Sequence, residues 1–114
     1  MTDLVADQHP PVYEGEVRNF AVSFADCLDD GEKLTGTPTV EEQSTSDLTI
    51  SSIKRNSAAI TVNEVSVAAN EAVQFRASGF LAATGEYTLL ITITTDANPA
   101  QTIKRKIKFP CQTE

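Results

Sequence analysis

Four acidic residues crowded into one turn, Asp26, Asp29, Asp30 and Glu32, are the first place in this chain to look for chemistry. Hard carboxylate oxygens at that density are what calcium prefers. Read as an EF-hand-type loop starting at Asp26, the segment puts Gly31 at the sixth position, where the sharp turn needs it. Leu28 then stands third and Thr37 twelfth, where carboxylates should close the site, so the spacing predicts a solvated turn and no metal. His9, the single histidine, sits beside Pro10 with no nucleophile or carboxylate spaced to work with it. Cys27 is set among acids, whereas a reactive thiolate needs a base or a cationic setting. No acid/base pair and no activated nucleophile can be assembled, so the expectation is a protein that is not an enzyme and carries no cofactor, metal or small-molecule substrate. The remaining charged cluster is Lys104, Arg105, Lys106 and Lys108, a basic stripe near the end of the chain.

The elements that must carry these residues read as strands. Residues 87–95 and 102–109 flank the turn-forming run Asp96-Ala-Asn-Pro99. Tyr87, Leu89, Ile91 and Ile93 alternate with Thr88, Thr92 and Thr94, and Ile103, Ile107 and Phe109 oppose Lys104, Lys106 and Lys108. That period of two predicts a long antiparallel hairpin with one buried face. Upstream, residues 16–24 place Phe20, Val22 and Phe24 on one side, and residues 33–42 place Leu34, Pro38 and Val40 inward. A proline inside a strand puts it at a sheet edge or a bulge. Residues 48–53, residues 59–67 with Ile60 and Val62 inward, and residues 72–78 with Val73, Phe75 and Ala77 inward complete a set of about seven strands at intervals of roughly ten residues, with turn chemistry between them and no helical stretch. The fold class is all-β, an immunoglobulin-like antiparallel β-sandwich spanning 16–114. Tyr87 opens its strand just after a loop, where such domains place a tyrosine whose hydroxyl ties down the corner, or where a core-edge aromatic would stand.

Residues 1–15 form an N-terminal extended arm: apolar residues are scattered, and Pro10 and Pro11 forbid helix and ladder bonding there. Either the arm is a frayed terminus, or it is ordered against a neighbouring molecule through Leu4, Val5, Val12 and Tyr13. At 114 residues with five Phe, two Tyr and no Trp, the chain suffices for one mostly aliphatic core. Cys27 and Cys111 are too few for a disulfide framework and too far apart for a redox or zinc pair, so free thiols are the default. A sandwich with the first turn and the last strand's end at one pole would leave a bridge between them open.

The net charge of −7 argues against nucleic acid and anionic membrane as partners. It is unevenly spread: residues 1–47 hold eleven acids and two bases, a balance of −9, and residues 48–114 hold five acids and seven bases, a balance of +2. The acid-rich third is a solvated surface or a docking face for a basic partner. The basic stripe, through Lys104, Lys106 and Lys108, either blunts unwanted strand pairing or complements acids on a neighbouring copy. The opening Met1-Thr-Asp-Leu has neither the basic start nor the apolar stretch of a secretion signal, and no run approaches the roughly 18 apolar residues of a membrane span.

The order of features is recognisable: an arm, Phe24-Ala-Asp-Cys-Leu-Asp-Asp-Gly-Glu-Lys-Leu34, Thr37-Pro-Thr-Val40, Ala72-Val-Gln-Phe-Arg-Ala-Ser-Gly79, Gly85-Glu-Tyr-Thr-Leu89 and a closing basic strand. Over residues 16–109 it resembles the small immunoglobulin-like structural proteins of tailed bacteriophages, the family described as fiber-tail adaptors, with similar domains in head decoration and cement proteins. The resemblance implies a non-enzymatic, many-copy virion component assembled in the host cytoplasm. Its implied role is a neck or tail adaptor linking the portal-neck region to fibers, with partners among the portal, neck and fiber proteins in a symmetric assembly. A decoration or cement protein clamping the major capsid protein is the alternative. A cellular adhesion or carbohydrate-binding module is a further one, although such modules present aromatic platforms and this chain has no Trp.

Overall fold

The long hairpin that the alternation predicts runs through the centre of one sheet. In the computed structural model, which describes residues 7–8 (main chain only), 10–43, 45–62 and 64–113, its arms are β9 (Glu86–Thr95) and β10 (Thr102–Gln112). They pair in register from Thr94 opposite Thr102 to Glu86 opposite Pro110. Tyr87, Leu89, Ile91, Ile93, Ile107 and Phe109 are all buried, as a sheet with one wet face requires. Ahead of them come β1 (Asp7–Gln8), β2 (Val12–Tyr13), β3 (Val17–Ser23), β4 (Leu34–Gln43), β5 (Thr49–Arg55), β6 (Ile60–Val62), β7 (Val65–Val67) and β8 (Ala72–Ser78). No α-helix occurs among the described residues.

One sheet has the order β1-β10-β9-β4, with β2 also on β10; the other has the order β3-β8-β5. Successive strands β3, β4 and β5 therefore alternate between sheets, and β8 returns between β3 and β5. This is the Greek-key arrangement of an immunoglobulin-like sandwich, as the spacing of the strands predicts. Pro38 meets both conditions expected of it. It is buried on β4, an edge strand, inside a bulge between Thr35 and Thr39 where Gly36 turns at φ +76°.

Two expectations are revised. The run 59–67 is not one strand but the hairpin β6–β7, which pairs Ile60 with Val67 and lies outside both main sheets. Glu64, at φ +67°, reverses it, leaving Ile60 and Val62 half-buried. The arm, expected to be separate from the sandwich, is partly built into it. β1 and β2 lie parallel to β10, with Asp7 opposite Ile107 and Val12 opposite Cys111. Val12 is wholly buried in the chain's own core, so it anchors the arm to its own domain and is not a surface for a neighbour. Covering β10 satisfies an edge that would otherwise stay open, and Pro10 and Pro11 separate the two short pairings because they have no N–H to give. The core is mostly aliphatic, as the composition predicts, and most of its aromatic rings are gathered together. Phe20 stacks on Phe75 and Phe109 with centroids 5.1 and 5.2 Å apart, and Phe80 meets Tyr87 and Phe109 edge-on at 6.0 and 5.7 Å. Five rings thus bridge the two sheets at one end.

The cysteines lie far apart. The Arg105 Nη1 donates to the Ser23 carbonyl at 2.9 Å, so the start of β10 lies over the end of β3. Cys111 is six residues further on, about 20 Å along the strand, at the opposite pole from the turn holding Cys27. Both thiols are free, Cys27 exposed and Cys111 buried.

Candidate interaction surfaces

The outer face of the first sheet carries the basic stripe. Alternation along β10 sends Ile107, Phe109 and Cys111 inward and Lys104, Lys106 and Lys108 outward, opposite Thr92, Leu90 and Thr88 of β9. β4 continues these rows with Thr39, Glu41 and Gln43. The result is a threonine-rich face with three lysines along one side and Glu41 along the other. Arg105 does not belong to it. Its odd position turns the guanidinium inward, onto the Ser23 carbonyl.

A second surface of different character forms at the pole where β2 meets β3. Tyr13, Val17 and Leu81, 41%, 54% and 45% exposed, are three of the four exposed large apolar side chains among the described residues. Short bonds hold their backbones together: Glu16 N–H donates to the Tyr13 carbonyl at 3.1 Å, and Ala82 N–H donates to Glu14 Oε1 at 3.0 Å. Glu14 and Glu16, bonded to the Ala82 and Tyr13 amides, make this apolar tip acidic, with Arg18 paired to Glu16 at 3.2 Å. Of the arm residues read as partner anchors, Tyr13 is here, Val12 is in the core, and Leu4 and Val5 lie outside the described residues, as does His9.

Tyr87 stiffens this pole. Its buried hydroxyl accepts from Leu81 N–H at 2.8 Å and donates to Asp47 Oδ2 at 2.9 Å, which is the corner role, the first of the two readings that its position allows. Thr84 donates to the same carboxylate oxygen at 2.7 Å. Burial pushes the Tyr87 phenol above its ordinary value, and the Asp47 charge adds to the rise. Gly79, at φ +90°, lets the Asp47 carbonyl approach to 2.7 Å from where a Cβ would stand, so that loop crossing requires glycine.

The acidic turn is used by the fold. Glu32 is buried, its Oε1 accepting from Asp29 N–H at 2.8 Å and its Oε2 from Gln101 Nε2 at 3.3 Å. Asp26, Asp29 and Asp30 are exposed, and among the described residues no three His, Cys, Asp or Glu side chains converge as a metal site would. Sequence reasoning missed Asn56, which is completely buried. Its Nδ2 donates to the Ala58 and Ala68 carbonyls at 3.0 and 2.8 Å, and its Oδ1 accepts from Glu71 and Ala72 N–H at 3.1 and 2.9 Å. One side chain thereby ties both ends of the β6–β7 excursion to the end of the sandwich.

Among the described residues no helix is long and apolar enough to cross a membrane. No family model, curated protein or solved structure matches the chain.

Proposed function

We propose that this chain is a non-enzymatic structural protein of a tailed-phage virion, an adaptor that links the portal-neck region to fibers. One observation carries the reading. A rigid sandwich holds two unlike contact surfaces, a lysine-edged polar face on the outside of β10 and an acidic, apolar-tipped pole around Tyr13, Val17 and Leu81. A linker needs that arrangement: each end recognises a different neighbour, and the stacked sheets between them do not bend. Opposite charge on the two surfaces also sets orientation, since a wrongly docked copy would bring like charges together.

Counting copies in purified particles tests the role. A neck adaptor follows the small number set by the portal ring, whereas a capsid decoration protein follows the capsid lattice and is far more abundant. Particles produced with Lys104→Glu and Lys106→Glu should then lack the protein and its fibers. Absence of the wild-type chain from particles would end the proposal, and a lattice-scale copy number would replace it with the decoration role.

A further inference from the structure

Main-chain groups alternate along β10. Thr95 N–H donates to the Gln101 carbonyl and Cys111 N–H to the Gly85 carbonyl, so odd-numbered residues of this strand face β9 and even-numbered ones face the other way. The Gln112 carbonyl obeys the same parity, accepting from Glu14 N–H at 3.0 Å. The N–H groups of Lys104 and Lys106 therefore point to the outer edge of the sheet. β1 and β2 cover that edge opposite Ile107, Lys108, Cys111 and Gln112. From Thr102 to Lys106, no strand among the described residues lies against it.

Beneath this stretch runs a groove of about 500 Å³ between β10, β3 and the β6–β7 hairpin. Val22, Val62, Val65 and Ile107 form its apolar walls, and the arm already borders it through Pro10. Val65, at 62%, is the most exposed large apolar side chain described.

We propose that the chain's own residues 2–6 close this groove by prolonging β1 backward along β10, with Val5 as the side chain that enters it. β1 runs parallel to β10, with Asp7 opposite Ile107 and Gln8 opposite Lys108. Continued backward, that register sets Ala6 opposite Lys106 and Thr2 opposite Thr102, so these five residues span what remains of the strand. Residues directly opposite in a sheet share a face, as Val12 and Cys111 do, both of them buried. Val5 then stands opposite Arg105, on the inward side above the groove, and Leu4 stands opposite Lys104, on the wet side. A parallel pair in this register has Lys106 N–H donating to the Val5 carbonyl and Lys104 N–H donating to the Asp3 carbonyl. The strap can lift without disturbing Val12 in the core, and lifting uncovers an apolar groove beside an unpaired strand edge. The inference concerns the chain's closure on itself and holds independently of any virion role.

The test uses the full chain and residue-resolved amide exchange at several protein concentrations. The Lys104 and Lys106 amides should exchange slowly at every concentration, and Val5→Asp should speed both at least about tenfold, the factor set by losing one buried valine side chain. Leu4→Asp, on the wet face by the same register, should leave both slow. The Arg105 amide faces β9 and should stay slow in both variants, showing that the hairpin remains folded. Fast exchange of Lys104 and Lys106 in the unaltered chain refutes the closure, as does slow exchange that survives Val5→Asp. Protection that grows with concentration gives the edge to a second copy, and equal opening by Leu4→Asp and Val5→Asp overturns the register; either result ends the proposal.

Discussion

Replacing Asn56 with alanine removes four hydrogen bonds at one stroke, those to Ala58, Ala68, Glu71 and Ala72. The Ala72 amide is fully buried, and an orphaned donor there costs about 1–3 kcal/mol. The other three partners are only partly buried, so water re-entering the space recovers most of their loss, leaving about 0.5 kcal/mol each. The sum is about 3 kcal/mol, a large share of the roughly 5–15 kcal/mol that holds a domain together. For a domain of this size each kcal/mol moves the midpoint by about 3–5 °C, so the variant should melt about 10–15 °C lower. Urea unfolding should show a lower midpoint at an unchanged slope, because the unfolded chain exposes the same surface. A loss below about 1 kcal/mol would mean that the neighbouring main-chain groups find other partners. Asn56 would then not hold the β6–β7 excursion.

Gly79→Ala should cost about 2–3 kcal/mol, because a Cβ there would lie 2.7 Å from the Asp47 carbonyl at φ +90°. Gly15→Ala has the same φ but nothing within 4 Å, so it should cost about 1 kcal/mol, and equal losses in chemical denaturation would discount the close approach. The raised Tyr87 phenol binds its proton more tightly in the folded chain, so its stabilisation is whole below the ordinary tyrosine value of about 10 and is lost as pH rises through the higher folded value. Tyr87→Phe should lower stability by about 1–2 kcal/mol at neutral pH and flatten that alkaline decline; an unchanged decline would place the titrating group elsewhere. Burial, with Glu14 and Glu16 nearby, raises the Cys111 thiol. Iodoacetamide should therefore label exposed Cys27 first and Cys111 only on unfolding, and equal labelling of the native chain would contradict its burial.

What the sequence reveals depends on how local the cause is. The β9–β10 hairpin is legible because one face is wet and the other dry, so alternation survives over its whole length. Tyr87 and Pro38 are legible because their roles follow from position in a strand. The β6–β7 reversal is hidden because Glu64 turns the chain without glycine or proline, and its one trace is a slip of parity, from Ile60 and Val62 before the turn to Val65 and Val67 after it. The parallel seating of the arm on β10 has no local signature: it joins residues about a hundred positions apart through two short contacts. Asn56 in Lys-Arg-Asn-Ser reads as an ordinary turn residue, and only the meeting of two loops buries it. Arg105 shows the reverse failure. Its parity marked it as inward, but the charges around it disguised that.

The parallel seating of β1 and β2 on β10 also determines how the domain resists being stretched. Traction applied ahead of Asp7 and beyond Gln112 acts along the strands in opposite senses. The bonds of each short pairing must then slide and break together; they cannot peel open one after another. A tether drawn between those two points therefore loads the domain in shear, the geometry that yields last.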